Sequence, residues 1–451
     1  MSRPPLRVAV LGAGTVGREV VRAFETAPER LAIHGGPALT LVGVGVRDLA
    51  KARASGIPAD LLTDAPAHLV ASPDTDVIVE LMGGEEPART LIAAALGAGR
   101  SVVTANKHVV AHHGAELEAI ARRTGAAFRF EAAVAGGIPI LGPLAADLAG
   151  NRVSRVRGIV NGSTNYLLSA MAAGGRPYAD VLAEAQAAGY LEADPSADVE
   201  GADAVNKLVI LMRLAFGTWV DPDAIVRRPP TAGGAARSAW AGPAGITGVT
   251  GAHVAAAGAC GLAIKLVADA RRLPHGRVVA SVVPTAVRLD EPLGRTDGVL
   301  NRVEVHAQPV GMVAFAGPGA GGAATSSAVL GDLLAVARGT GSTWAGLPAA
   351  VQAARDAVEG PPGSAAGQAW FTVIADGERG RVDARTLDTA IARVASRSSA
   401  IAVVSPFTGG RGLLLSLGSL AQMRSILSAV GAPADLVILP ADGEPPATAV
   451  G

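Results

Sequence analysis

Between Gly189 and Lys207 the chain carries Tyr190, Glu192, Asp194, Asp198, Glu200 and Asp203, an acidic stretch that ends on a lysine. Asp203 and Lys207 are four residues apart, which places both on one face of a helix. Directly after Lys207 the chain turns apolar on nearly every side (LVILM), so this helix must run into a core. Lys207 then stands at the rim, where partial desolvation makes an ammonium group usable for proton transfer. The acids beside it suit a substrate that carries an ammonium group. A solvated ion pair at the start of a helix has the same spacing, and spacing alone does not choose between the two.

A second chemical signal is Gly12-Ala13-Gly14-Thr15-Val16-Gly17, a G-x-G-x-x-G between an apolar run and a helical pattern. Gly12 permits a tight turn, Gly14 lets backbone approach a pyrophosphate, and Gly17 lets the helix pack on the sheet. The anion then meets free N–H groups at the helix N-terminus. A purely structural glycine turn is the rival reading.

After the second strand-like run, where an acid would bond the adenosine ribose, stand Arg47-Asp48, with Lys51 and Arg53 close by. Arg47 can pair with a 2′-phosphate, which inclines the reading to NADP and leaves NAD open. Ordinary charges on a solvated loop account for the same residues. Asn106-Lys107 follows the fourth strand-like run, at the carboxyl edge where doubly wound sheets bind ligands. Lys107 there either touches the nicotinamide or an anionic substrate group, or starts a helix facing water. Glu131 to Pro139 (EAAVAGGIP) sets one acid among small residues whose carbonyls can ligate a hard monovalent cation. On the residues alone a turn is the simpler account.

These residues need elements to hold them. Leu6–Leu11, Leu39–Val46, Asp76–Leu81 and Ser101–Thr104 read as buried parallel strands, and Val16–Ala27, Pro87–Ala98 and Lys107–Thr124 as helices. The alternation predicts an α/β fold whose residues 1–150 form a doubly wound, Rossmann-type parallel sheet that binds a dinucleotide. From Asn151 the rhythm becomes α+β: a strand at Val153–Val160, helices at Asn165–Ala173 and Asp180–Ala188, a long helix at Asp198–Phe216, and strands at Val278–Pro284 and Val303–Ala307. Residues 151–345 are therefore expected to form a substrate-binding and dimerisation domain, its last helix returning to the nucleotide domain. Residues 346–368 have linker character, clearest in Val358–Gln368 (VEGPPGSAAGQ). Residues 369–451 alternate strand and helix again and read as a small C-terminal α/β module.

Composition narrows the function classes. The 39 basic and 39 acidic residues balance, so neither nucleic acid nor an anionic membrane is expected as partner. Cys260 is the only cysteine, which excludes an internal disulfide framework and a multi-cysteine zinc site. No apolar run reaches the length of a membrane span, and the one that comes closest, Leu208–Phe216, is interrupted by Arg213. With no signal-peptide pattern at the N-terminus, the expectation is a soluble cytoplasmic protein acting on a small molecule.

Taken in order, the motifs resemble the homoserine dehydrogenase family over about residues 6–335. They are GAGTVG at 12–17, Asn106-Lys107, EAAVAGGIP at 131–139, GIVNGSTNY at 158–166, AGYLEADPSADVEGADAVNKL at 188–208, IKLVA at 264–268 and GPGAGGAATSSAVLGDLL at 317–334. The resemblance implies reversible interconversion of L-homoserine and L-aspartate 4-semialdehyde with NAD(P), a step of threonine and methionine biosynthesis, in a homodimer. It makes Lys207 the proton-transfer lysine and Asp203 its polar partner. Glu192 would hold the amino group, and Asp198, Tyr190 and the Gly162-Ser163 turn would complete the pocket. Lys107 would lie between cofactor and substrate. Glu131, with the carbonyls of Val134, Gly136 and Ile138, matches a sodium site. Thr15, Val16, Arg47, Gly189 and Gly319, in the Gly317–Gly321 loop, match cofactor contacts, alongside Gly12, Gly14 and Gly17 of the glycine turn.

The chain departs from the family pattern in two places. Ser163 stands where threonine is usual, and keeps the hydroxyl. The tail has no clear Asp-x-Pro-Gly-Val turn, only the worn Asp376-Gly377-Glu378-Arg379-Gly380, so it reads as a degenerate ACT-like module. Two rivals remain. Aspartate-semialdehyde dehydrogenase would need a nucleophilic cysteine, and Cys260, in what reads as an apolar helix (AAAGACGLAIK), has the surroundings of a buried inert thiol. A non-catalytic NADP-binding sensor has no use for Asp203 and Lys207.

Overall fold

The computed structural model describes residues 4–26, 28–31, 36–233, 240–273, 276–352, 358–359, 368–375, 384–396, 401–408 and 410–441. The worn turn at 376–380 lies outside them, as does most of 353–367 in the stretch read as a linker. In chain order the first elements are β1 (Leu6–Leu11), α1 (Thr15–Thr26), β2 (Leu39–Gly45), α2 (Leu49–Ala54), β3 (Leu62–Thr63), α3 (Pro66–Ala71), β4 (Val77–Glu80), α4 (Ala88–Gly97), β5 (Ser101–Thr104), α5 (Lys107–Thr124), β6 (Phe128–Arg129) and α6 (Leu141–Ala145). Then come β7 (Arg152–Ile159), α7 (Gly162–Gly174), α8 (Tyr178–Ala187), α9 (Ser196–Val199), α10 (Ala202–Phe216), β8 (Thr218–Trp219), α11 (Gly251–Ala259), β9 (Leu262–Arg272) and β10 (Val278–Arg288). The rest are β11 (Leu300–Gln308), β12 (Gly311–Pro318), α12 (Gly322–Arg338), β13 (Val351–Gln352), β14 (Val358–Glu359), β15 (Gln368–Ala375), α13 (Ala384–Ala395), β16 (Ile401–Phe407), β17 (Gly410–Gly418), α14 (Leu420–Ala429) and β18 (Ile438–Ala441). By contact the chain falls into two discontinuous compact units: Met1–Val156 with Asn206–Pro222 and Val303–Arg355, and Arg157–Val205 with Asp223–Arg302 and Asp356–Gly451.

The first unit is built on a six-stranded sheet of order β3-β2-β1-β4-β5-β6, every neighbouring pair parallel. Strands buried on both faces must be apolar throughout, and Val8–Leu11, Val77–Val79 and Val102–Val103 are. The chain runs outward from β1 to β3 and restarts at β4 on the other side of β1. That reversal opens the carboxyl-edge crevice in which such folds bind ligands. The glycines of the turn after β1 are needed sterically. A Cβ on Gly17 would stand 2.0 Å from the Gly12 carbonyl oxygen, and Gly12 itself has φ +101°. A Cβ on Gly14 would meet nothing within 4 Å, leaving that backbone open to approach. Helix α12 packs on α1 and adds Val329, Leu330 and Leu333 to the core around β1.

In the second unit β9 and β10 pair antiparallel over eleven residues each, and the sheet continues β10-β18-β15-β17-β16. The pairing of β10 with β18 is parallel, that of β15 with β18 and β17, and of β16 with β17, antiparallel. The tail is thus a β-α-β-β-α-β unit of strand order β18-β15-β17-β16, with α13 and α14 packed together over Trp370, Leu413, Met423 and Ile426. It shares a sheet with β9 and β10. Helix α7 packs on β9, where the buried Lys265 Nζ donates to Thr296 O at 2.8 Å, Asn165 Oδ1 at 3.1 Å and Asp297 Oδ1 at 2.7 Å. Those bonds satisfy an ammonium that would otherwise be intolerable there.

The fold class matches the α/β expectation, and α5 has the expected bounds. Asn106 caps it by accepting from Val109 N at 3.2 Å, and Gly125 ends it at φ +75°. Two expectations are corrected. The single helix Asp198–Phe216 is two, because Gly201 takes φ +83° between α9 and α10. A Cβ on Gly201 would lie 3.2 Å from Val282 Cγ1, so strand β10 packs directly onto the break. The apolar AAAGACGLAIK segment is not one helix either. It leaves α11 at Cys260, turns at Gly261 (φ +71°) and enters β9.

Candidate active site

At the carboxyl edge of the parallel sheet, β4 ends on Glu80, a fully buried carboxyl. Its Oε1 accepts from Met82 N at 2.8 Å, and its Oε2 accepts from the Thr104 hydroxyl at 2.6 Å. Asn106 N donates to Thr104 Oγ1 at 2.9 Å, and Asn106 Nδ2 to Gly84 O at 2.8 Å. This chain of bonds joins the ends of β4 and β5 to the cap of α5, whose first residue is the half-buried Lys107. Burial pushes the Glu80 carboxyl above the ordinary carboxylate range, against the bonds from Thr104 and Met82. At the end of β2, Arg47 is exposed, and among the described residues its guanidinium enters no ion pair. Asp48 beside it is committed to capping α2, accepting from Lys51 N at 2.9 Å. Arg47, not Asp48, is thus the residue left uncommitted after β2.

The Glu131 turn belongs to the same unit. Glu131 Oε1 accepts from Ile140 N and Leu141 N at 2.8 Å each, and Oε2 from Gly142 N at 2.7 Å. Glu131 N donates to Asp332 Oδ2 at 2.8 Å, while Asp332 Oδ1 accepts from Arg129 Nε at 2.7 Å. Burial pushes the Glu131 and Asp332 carboxyls up, and for Glu131 the Asp332 charge adds to it. Ala135 and Gly136 both lie in the left-handed region, at φ +54° and +55°. For alanine that conformation is strained, the kind of outlier that gathers at ligand sites. A Cβ on Gly136 would stand 2.5 Å from Gly319 O, and one on Gly322 3.0 Å from Thr15 O. The structure therefore brings Gly136 and Ile138 against the Gly317–Gly321 loop, and Gly322, just after that loop, against Thr15 of the glycine turn.

In the second unit Asn161 lies two residues past the end of β7 and caps α7, its Oδ1 accepting from Thr164 N at 2.8 Å. Its Nδ2 donates to Asp198 Oδ1 at 2.6 Å and to Asp203 Oδ2 at 2.9 Å. Lys207 follows one turn later on the same helix α10, in the part of it that belongs to the first unit, and stands half-buried just before the buried run Leu208–Met212. Gly162 lies under the chain at Val299, whose carbonyl oxygen would be 2.6 Å from a Cβ there. The Ser163 hydroxyl donates to Tyr190 O at 2.8 Å, joining the Gly162-Ser163 turn to the segment after Gly189 (φ +75°). Tyr190 is exposed and its ring lies 4.9 Å from that of Tyr166. Glu192 is also exposed. Gln186 Nε2 holds its carbonyl at 3.1 Å, and among the described residues no hydrogen bond or ion pair reaches its carboxylate.

Asp198, Asp203 and the Ser163–Tyr190 pair are thus held by named bonds, whereas Glu192 is not bonded into that group. Asn161, Glu80 and Thr104 were missed in the sequence. Asn161 had a readable signal, an Asn-Gly-Ser-Thr start to a helix. Glu80 had one too, as the acid closing an otherwise apolar strand. Cys260 is buried and its thiol is pushed up, away from the thiolate a nucleophile requires.

A glycine turn at the switch point of a doubly wound sheet is a dinucleotide site, and the family model described as the NAD-binding domain of homoserine dehydrogenase matches residues 12–131. A second model, homoserine dehydrogenase, matches residues 139–334. Fold, turn and matches together define an NAD(P)-dependent oxidoreductase. The chain is 47% identical over 338 residues to the homoserine dehydrogenase of Mycobacterium tuberculosis, covering 74% of this chain and 73% of that one. It is 42% identical over 355 residues to that of Corynebacterium glutamicum, covering 76% of each. Among solved structures, a homoserine dehydrogenase from Thiobacillus denitrificans superposes with a TM-score of 0.79 at 32% identity, over 98% of both chains. A hyperthermophilic archaeal homoserine dehydrogenase in complex with NADPH covers 74% of this chain and 98% of its own, with a TM-score of 0.59 at 28% identity. The chain belongs to the homoserine dehydrogenase family, as its motifs implied.

Proposed function

We propose that this chain interconverts L-homoserine and L-aspartate 4-semialdehyde, with NADP as the preferred cofactor, in threonine and methionine biosynthesis. The observation that carries the reading is the Asn161–Asp198–Asp203 group, with Lys207 one turn further along the same helix. The nicotinamide, when bound, supplies or accepts the hydride. Lys207 gives a proton to the developing alkoxide during reduction and takes it back during oxidation. Asp203 steadies the reacting hydroxyl beside it. Glu192 and Asp198 hold the substrate ammonium, with Tyr190, Gly162 and Ser163 shaping the pocket. Lys107, on the rigid cap built by Asn106, lies between cofactor and substrate.

The open backbone at Gly14 suits a pyrophosphate, with Gly12, Thr15, Val16, Gly17, Gly189 and Gly319 as further cofactor contacts. Arg47 selects the 2′-phosphate. A sodium ion at the Glu131 turn is supported by the strained backbone at Ala135 and by two buried carboxylates set against the single Arg129. The carbonyls of Val134, Gly136 and Ile138 would hold it, because three N–H groups already engage the Glu131 carboxylate. Residues 1–150 would serve the cofactor. Residues 151–345 would serve the substrate and a homodimer contact, and 369–451 would form an ACT-like module beyond the 346–368 connection. Among the described residues no helix is long and apolar enough to cross a membrane. Turnover of homoserine with NADP, followed at the reduced-nicotinamide absorbance, tests the reading. Cofactor binding without turnover would favour the sensor instead.

A further inference from the structure

We propose that Asn161 is a positioning residue that sets the two carboxylates of the substrate pocket at a fixed separation while preserving their charge for a cationic substrate group. The inference rests on the homoserine reading and adds to it a residue that never needs to touch the reacting atoms. Asn161 is 5% exposed, and its amide has little freedom. Its Oδ1 accepts from Thr164 N at 2.8 Å and from the Thr164 hydroxyl at 2.9 Å. That leaves the NH₂ end to face the acids, and its two hydrogens match the two acceptors Asp198 Oδ1 at 2.6 Å and Asp203 Oδ2 at 2.9 Å. One neutral side chain thus uses every hydrogen-bonding site it has.

Charge explains why an amide suits this place. A lysine or arginine between the two acids would hold them as well, but would cancel the field that attracts an ammonium group. An amide donates to both and brings no positive charge of its own that would offset theirs. Position explains why something must stand there at all. Asp198 lies on α9 and Asp203 on α10, separated by the left-handed Gly201, so no continuous helix fixes one against the other. The amide spans that break. It also caps α7, whose first residues are Gly162 and Ser163, and Ser163 in turn holds the carbonyl of Tyr190. The acids and the turn are thereby referred to a single rigid side chain.

The test uses the whole enzyme with two variants. Asn161→Ser and Asn161→Asp both keep a good helix cap, so the fold has a substitute for that role. Serine removes the two amide donors, and aspartate replaces them with a third negative charge. The KM values for homoserine and for aspartate 4-semialdehyde are measured beside the KM for the cofactor and the unfolding midpoint. Asn161→Ser is expected to raise both amino-acid KM values by about tenfold or more, the factor for losing hydrogen bonds to charged groups. Cofactor KM should stay within about twofold, as changes outside a ligand's own contacts leave its affinity nearly additive. Asn161→Asp should raise the same KM values further, since a like charge disfavours ionisation of its neighbours. Unchanged KM for both amino acids, equal weakening of cofactor and substrate, or failure of both variants to fold would overturn the proposal. Absence of turnover in the unsubstituted enzyme would overturn the homoserine reading instead, so the two failures are distinct.

Discussion

Replacing Glu118 tests how the two lysine-bearing helices of the first unit are held. Glu118 lies on α5, eleven residues after Lys107, and Arg213 lies on α10, six residues after Lys207. Arg213 is 0% exposed, and its Nε and Nη2 donate to Glu118 Oε2 and Oε1 at 2.8 and 2.7 Å. Trp219 Nε1 also donates to Oε2 at 2.8 Å, and the outer Arg122 donates to Oε1 at 2.9 Å. Glu118→Ala leaves a fully buried guanidinium without its counter-charge, a loss of about 3–5 kcal/mol. The orphaned indole N–H adds about 1 kcal/mol, and the half-open Arg122 adds little. Glu118→Gln keeps the shape and one acceptor, so it should fall between the wild type and alanine. The double variant Glu118→Met with Arg213→Met removes both charges and should recover most of the stability, because buried pairs are often replaceable by apolar residues.

The assay is urea unfolding followed by tryptophan fluorescence, at neutral and acid pH. Burial pushes the Glu118 carboxyl up, but Arg213 and Trp219 outweigh it and hold the carboxyl below its ordinary value. A depressed native value means that the stabilisation is fully present above the unfolded pKa of about 4.3 and disappears as pH falls through the native value. The gap between wild type and Glu118→Ala should therefore narrow in acid. Single-variant losses below about 1 kcal/mol, or a double variant equal to the sum of the singles, would refute the account. Since the same pair fixes α5 against α10, turnover should fall in Glu118→Ala even where the protein remains folded.

Lys207→Ala should lower turnover by about 10²–10⁴-fold, the range for a general acid–base group, while NADP binding by titration stays near normal. Near-normal turnover at neutral pH would remove Lys207 from proton transfer. Glu192→Gln should raise the KM for homoserine by more than it changes cofactor affinity, losing about 2–5 kcal/mol if the ion pair is desolvated in the complex. Because Glu192 is exposed in the structure, a loss well under that range would show that the pocket stays wet when occupied. Arg47→Asp should turn the ratio of kcat/KM values from NADP towards NAD. An unchanged ratio would assign the phosphate to Lys51, Arg53 or neither.

Features governed by near neighbours were legible in the sequence. The clash that demands glycine at position 17 is with Gly12, five residues back, and so leaves a motif in the chain. Helix α5 reads correctly because its cap at Asn106 and its stop at Gly125 lie within its own span. The apolar strands of the parallel sheet read correctly because burial on both faces is a property of each strand. Asp203 and Lys207 were legible as a pair for the same reason, since one helical turn separates them.

What failed to show had its cause far away in the chain. Gly201 breaks the expected long helix where it packs on Val282, and nothing around Asp198–Phe216 signals that strand. Asn161 meets Asp198 and Asp203 across 37 and 42 residues, and Glu118 meets Arg213 across 95. The tail shows its β-α-β-β-α-β order locally, but its place beside β10 comes from the pairing of Ala286 with Ala441. Residue type and spacing thus determined that this chain binds a dinucleotide and carries an acid–lysine helix. Only the tertiary structure decided which neutral side chain sets the acids and which buried pair holds the lysine helices, because hydrogen bonds over such separations leave no periodicity to read.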